Sequence, residues 1–322
     1  MKETKIKNKL FLIFGVVVLL ITILFLIVIN PKQKTVQNKE KPINGMLMLI
    51  EFEKIEGIIQ WERELDSRGL TALISVQDNV LNEYSEVFKN LANKEYEIAG
   101  SYSGAPFWDV PYDEQYKHMK ESKELVEKII GKKMRVFGSR YFAYDENTLK
   151  AADALGIDYI LGRGVKDVEA VVYQPKEFKV KIISVTNVDV GEMGRGSLCD
   201  YSLWARGSDA KDFGIMVSES IAKKPKNMIL VSHAYLGGTR LEWWQEYEKV
   251  LNSPKIKWTG FNDWLKNQEI ITLNNNEIPL NKEVKYVSPK PKKQIEDYEP
   301  IPGIETNYNT SSTSTENEMM CQ

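Results

Sequence analysis

The sequence predicts an α/β protein: a parallel sheet covered by helices, suited to a barrel, and preceded by one membrane-spanning helix. Three observations predict it. Short apolar runs alternate with amphipathic helical stretches through about 230 residues, the pattern of parallel strands buried on both faces. A twenty-residue apolar run, Leu10 to Ile29, comes before them. Polar, aperiodic segments flank the alternating part on either side.

The apolar run is interrupted only by Gly15 and Thr22. At about 1.5 Å per residue it reaches roughly 30 Å, the thickness of a bilayer core. Lys2, Lys5, Lys7 and Lys9 precede it, which favours a cytoplasmic N-terminus at 1–9 and the long C-terminal part outside. Lys32, Lys34, Lys39 and Lys41 on the far side narrow that charge difference. A cleaved signal peptide would want a shorter core and a small-x-small site, and Ile27-Val28-Ile29-Asn30-Pro31 offers neither. The expected organisation is a transmembrane anchor at 10–30, a linker at 31–44, a folded domain at 45–273 and a polar tail at 274–322.

Within the domain, Met46–Phe52 is the first strand, followed by a helix through Trp61 and Leu65 that ends near Gly69. Leu70–Val76 is a strand, Val80–Leu91 a helix, Tyr96–Gly100 a strand, and Asp113–Ile130 a long helix. Met134–Gly138 is next, and Asp145 is placed to cap a helix running to Leu155, with Gly156 at its left-handed end. Strands follow at Ile157–Leu161, Val168–Tyr173 and Lys179–Val185. The series closes with a helix near Asp209–Ala222, a strand at Met228–Ser232, a helix at Leu241–Leu251 and a strand at Ile256–Trp258.

Composition excludes several functions. A net charge of −2 and the lack of a basic face with interleaved aromatics argue against nucleic acid. Two cysteines, Cys199 and Cys321, support neither a zinc cluster nor a disulfide framework. With only His118 and His233, no motif of two or three imidazoles can be built.

In parallel α/β folds chemistry collects where strands end. Strand one runs into Glu51-Phe52-Glu53-Lys54, whose carboxylates lie two apart and project the same way on an extended chain. Either they do chemistry or the strand has reached solvent by Glu51. Strand three leads into a small-residue loop, Gly100-Ser101-Tyr102-Ser103-Gly104-Ala105, that ends in Pro106-Phe107-Trp108-Asp109. Its aromatics suit stacking on a sugar face, or a loop folded back on the barrel. Arg140 and Tyr141 follow strand four and could reach an anion or a hydroxyl. His233 ends a late strand and is placed for acid–base work, whereas His118 falls mid-helix and reads as a surface residue.

The order of segments resembles the polysaccharide deacetylase family, esterases that remove acetyl groups from cell-wall polymers. Gly69-Leu70-Thr71-Ala72-Leu73-Ile74, Tyr96-Glu97-Ile98-Ala99-Gly100 and Glu121–Leu125 with Gly131-Lys132-Lys133 carry it. Tyr144–Ala152 with Leu155-Gly156, Asp200–Trp204 and Ile229–His233 extend it. The resemblance implies a deformed (β/α) barrel of about seven strands. It also implies a general base and a metal-binding aspartate where this chain has Glu53 and Lys54, with Glu51 close by. The family's two metal-binding histidines fall on Ser101 and Ala105, and its Arg-Pro-Pro-Tyr-Gly motif on Gly138-Ser139-Arg140-Tyr141-Phe142, where only Tyr141 matches. The general-acid histidine carries over to His233.

With Lys54, Ser101 and Ala105 in place of the ligands, no metal or other cofactor is expected. Three functions remain. The first is a cell-surface protein that binds or acts on polysaccharide through Trp108, Arg140, Tyr141, Ser101 and Lys54, without metal-dependent deacetylation. The second is a metal-independent hydrolase of acetylated glycans or amides. In it Glu53 or Glu51 activates water, His233 protonates the leaving group, and Lys54 or Arg140 stabilises the oxyanion. The third is a non-catalytic envelope interaction domain.

Overall fold

The computed structural model describes residues 41–164, 166–191, 194–279 and 290–304, with Thr22 alone before them. The expected anchor at 10–30, its cytoplasmic flank at 1–9 and the segment 305–322 therefore lie outside the described residues, Thr22 apart. Among the described residues no helix is long and apolar enough to cross a membrane. The folded unit begins at Pro42.

Its central element is β1 (Ile43–Glu51), buried along almost its whole length. Parallel neighbours flank it on both sides: β2 (Leu73–Val76), and β10 (Asn227–His233) in register from Asn44↔Asn227 to Ile50↔His233. A short β11 (Ile256–Trp258) joins its first residues. From β2 the sheet continues through β3 (Glu97–Tyr102), β4 (Val136–Ser139), β5 (Tyr159–Gly162) and β7 (Lys181–Ser184), all parallel. Beyond β7 come β6 (Val171–Pro175), antiparallel to it, and β12 (Ile270–Leu273). Only residues 176–180 join β6 to β7, too few for a crossover, so that pair runs antiparallel. A separate hairpin pairs β8 (Asn187–Asp189) with β9 (Arg195–Ser197).

The expected count of about seven strands describes the parallel run alone, and the sheet extends past it. Strand pairing does not close the barrel, because β10 and β12 end the path. Irregular chain covers the outer edge of β10 instead. Ala170 N–H donates to the Asn227 carbonyl at 3.1 Å and Val231 N–H to the Leu198 carbonyl at 3.0 Å. Ile229 N–H donates to the Thr186 hydroxyl at 2.9 Å. Each bond satisfies a backbone group that an open edge would strand in the interior.

The covering helices follow local signals. In α5 (Glu146–Leu155) the Asp145 carboxylate accepts the Thr148 N–H at 2.9 Å, and the Thr148 hydroxyl accepts the Asp145 N–H at 3.0 Å. Gly156 ends that helix at φ +68°, as expected. The long α4 (Tyr112–Ile130) ends on Gly131 in the same way. The expected single helix at 80–91 is broken at Tyr84 into α2 (Asp78–Glu83) and α3 (Ser85–Asn93). Beyond the sheet's midpoint lie α6 (Asp200–Trp204), α7 (Ala210–Ala222), α8 (Ala234–Gly237), α9 (Leu241–Leu251) and α10 (Phe261–Lys266).

The packed unit also extends past the boundary expected at 273. Ile295, Tyr298 and Ile301 are buried. Leu241 N–H donates to the Glu299 carbonyl at 2.8 Å, Ile301 N–H to the Thr239 carbonyl at 2.9 Å, and Trp204 Nε1 to the Lys293 carbonyl at 2.8 Å. Three well-spaced apolar residues among lysines, prolines and acids carry no strand or helix period, which is why this strap reads as polar tail.

The first helix, α1 (Glu56–Ser67), seats Trp61 edge-on against Trp244 and Tyr247, with ring centroids 5.0 and 4.9 Å away. Its closest approach is at Gly57, where a Cβ would lie 2.0 Å from the Ala234 carbonyl oxygen. Backbone cannot yield there as a flexible side chain could. Gly57→Ala is therefore expected to lower unfolding stability by about 1–3 kcal/mol, the usual cost of overpacking. Urea titration of both proteins, with unchanged stability as the contrary result, checks it.

Candidate functional site

Side chains alternate along a strand, so register decides which groups can meet. Ile50 pairs with His233 on one side and with Ser75 on the other, which puts all three on one face. A Cβ on Gly138 would sit 3.6 Å from the Ser75 hydroxyl and 3.0 Å from Leu161, so that face is the barrel interior. Ser101 pairs with Gly138 and shares it. Glu51 instead pairs with Val76, and Val76 with Gly100. A Cβ on Gly100 would meet Ser122 of α4 at 2.7 Å, so Glu51 faces the helix layer. Although their strands are adjacent, Glu51 and His233 project from opposite faces of the sheet.

Glu51 is fully buried and closes the turn after β1. Its Oε1 accepts three backbone N–H groups, from Phe52 and Glu53 at 2.9 Å and from Lys54 at 3.1 Å, while Oε2 has no hydrogen-bond partner. Burial outweighs those bonds and pushes its pKa up to about 8, so the carboxyl is mostly protonated at neutral pH. Glu53, two residues on, is exposed, and Lys54 is half-buried.

His233 is 1% exposed, and neither ring nitrogen has a hydrogen-bond partner. Tyr201, Phe52 and Tyr235 close around it, with ring centroids at 4.7, 5.2 and 5.6 Å. Desolvation lowers its pKa to about 3. A neutral imidazole under three rings has neither the charge nor the exposure that a general acid uses.

Behind it on the helix side lies Asp200, which sequence reasoning did not single out. Its carboxylate accepts the Ser232 hydroxyl at 2.8 Å and the backbone N–H groups of His233 and Tyr201 at 2.8 and 2.6 Å. Burial still raises its pKa to about 6. An aspartate opening a short helix carries no sequence cue that it pins the end of a strand elsewhere. His118, expected at the surface, is half-exposed and stacks on Tyr102 at 4.2 Å.

A second group lies across β2, at the ends of β3 and β4. Trp108 and Tyr141 hold parallel ring planes, 7° apart in tilt with centroids 6.3 Å apart, and the Arg140 guanidinium sits 5.1 Å above the Tyr141 ring. Phe107 beside Trp108 is fully buried, so the loop does fold back, yet it leaves Trp108 half-exposed. Arg140 has no ion pair among the described residues, and its Nε has no hydrogen-bond partner. Tyr141 and Phe142 both take left-handed backbone, at φ +61° and +52°. Two such non-glycine residues in succession cost on the order of 1–3 kcal/mol each, a strain that concentrates at functional sites.

The family's metal does not fit here. The positions that resemble its ligands present an ammonium at Lys54, a hydroxyl at Ser101 and a methyl at Ala105. Among the described residues no three His, Cys, Asp or Glu side chains are grouped to hold a metal ion. Clefts of about 250 and 570 Å³ lie at the other end of the barrel, by Glu95 and Asn262 where strands begin.

The buried groups make stability depend on pH. A carboxyl raised from 4.5 to about 8 gives Glu51 a contribution complete below pH 4.5 and lost as pH rises through 8. Asp200 loses its share between 3.8 and about 6. His233, lowered from 6.5 to about 3, works the other way and costs stability as pH falls below 6.5. Between pH 6.5 and 8 Glu51 is the one of these three still titrating, so stability should fall as pH rises there, by up to ~1.4 kcal/mol per pH unit. Glu51→Gln should flatten that slope in denaturant titrations at stepped pH. An unchanged slope would place the titrating group elsewhere.

Residues 63–160 match the polysaccharide deacetylase family model. The match takes in the scaffold from α1 to β5 and leaves out β1 and β10, whose ends carry Glu51 and His233. No curated protein matches the sequence. Among solved structures, a probable polysaccharide deacetylase from Pseudomonas aeruginosa PAO1 is similar at 14% identity and TM-score 0.53, over 70% of this chain and 90% of its own. A candidate polysaccharide deacetylase from Mycobacterium smegmatis is similar at 12% and 0.52, over 72% and 95%. A 4-α-glucanotransferase from Thermococcus litoralis is similar at 10% and 0.51, over 74% of this chain but only 42% of its own length. Such identities speak to the fold alone. Residues 63–160 thus match the polysaccharide deacetylase family model, and the fold around them is similar to that of solved structures of this kind.

Proposed function

We propose that this protein is a membrane-anchored, extracytoplasmic member of the deacetylase-like group that binds cell-surface polysaccharide without metal-dependent deacetylation. The observation that carries the reading is His233, shut beneath Phe52, Tyr201 and Tyr235 with its two nitrogens unpaired. A general acid must reach the leaving group, and this one is sealed from solvent. Donor chemistry at Lys54, Ser101 and Ala105 supports the same reading, because it cannot hold a divalent ion. Trp108 and Tyr141 supply what binding needs, since parallel aromatic faces pack against the apolar face of a sugar ring. The apolar run at 10–29 after a basic N-terminus supports the anchor and the outside location.

The purified protein is expected to bind cell-wall oligosaccharides, and Trp108→Ala to weaken binding about tenfold, the loss of one stacking face. No acetate should be released from acetylated oligosaccharides, with or without added zinc. Steady acetate release abolished by Glu53→Gln would replace the binding reading with the metal-independent hydrolase. Protease added to intact spheroplasts should digest the domain, and full protection would reverse the assigned topology.

A further inference from the structure

Resting on the glycan-binding reading, we propose that the polysaccharide is acidic, and that Arg140 receives its anionic group while Trp108 and Tyr141 take the sugar ring. The notable property of Arg140 is what it lacks. Arg68 pairs with Glu64, Arg135 with Glu97 and Arg195 with Asp167. Arg140 is half-buried, is held over the Tyr141 ring at 5.1 Å, and makes no ion pair among the described residues. A guanidinium held over a ring face engages the ring through its cationic face and keeps N–H donors for a further partner. Those donors match the two oxygens of a carboxylate or a phosphate.

The backbone supports the same assignment. Tyr141 and Phe142 are held in left-handed conformations that a glycine would adopt without strain. Phe142 is anchored in the core. That anchor turns Tyr141 out beside Trp108, with Arg140 next to it in the chain. Cation and ring planes thus lie within one saccharide's width, and a sugar stacked on the rings would carry a ring-borne acidic group to Arg140. The position also owes nothing to the family's motif, which has proline where this chain has Arg140.

The test compares an oligouronate with the same oligosaccharide after carboxyl reduction, and with a phosphorylated oligosaccharide, by calorimetry on the purified full chain. The oligouronate should bind roughly ten- to a hundredfold tighter than its reduced form, the scale of a charge-assisted hydrogen bond. Added salt should shrink the ratio. Arg140→Gln should bring it to about one, and Arg140→Lys should restore it only in part, because an ammonium has no fork. Preference for the phosphorylated sugar would keep the acidic ligand and assign the anion as phosphate. Equal binding of acidic and neutral forms would overturn the acidic ligand yet leave glycan binding standing. No binding of any form would overturn both, and a ratio that survives Arg140→Gln would overturn the role of Arg140.

Discussion

The fold depends on the parallel pairing of β1 with β10. Seven consecutive residue pairs, Asn44↔Asn227 to Ile50↔His233, join an early segment to a late one. Both strands are buried on both faces, so a slip of one residue would move every side chain to the wrong layer. The register therefore also fixes the site. It sends His233 into the barrel and Glu51 toward the helices, onto opposite faces of the sheet. The capping of β10's outer edge by Ala170, Thr186 and Leu198 keeps the pairing intact where the barrel fails to close.

Hydrophobic alternation was enough to locate most strands and helices, because burial on two faces imposes apolar runs that are hard to mimic by chance. Asp145 and Gly156 gave an α5 whose cap and end both agree with the structure. What the sequence hid was of two kinds. Short elements such as β8, β9, α6 and β12 are three to five residues long, below the length at which any period registers. Facing is the other. Glu51 and Glu53 look equivalent on an extended chain, yet the strand ends between them, so one is sealed and the other exposed.

The candidate residues were legible one by one, and their arrangement much less so. Trp108, Arg140 and Tyr141 were all candidates, and they do lie together. His233 was also a candidate, but its surroundings were not readable, since Phe52, Tyr201 and Tyr235 come from three separate stretches. Where a working general acid wants water and a charged neighbour, this imidazole has three rings. The buried carboxyl groups at these strand ends serve the structure: Glu51 closes a turn, and Asp200 pins the end of β10.

The strap at 290–304 has a consequence for synthesis. Tyr298 packs edge-on against Trp243, and the Trp204 indole donates to the Lys293 carbonyl, so both tryptophans are finished off by almost the last part of the barrel to leave the ribosome. A chain broken off before residue 290 could form the sheet and still present those rings, uncovered, to chaperones and proteases that recognise exposed apolar surface. The strap thus completes the packing around Trp204 and Trp243, and a chain without it would leave both short of a partner.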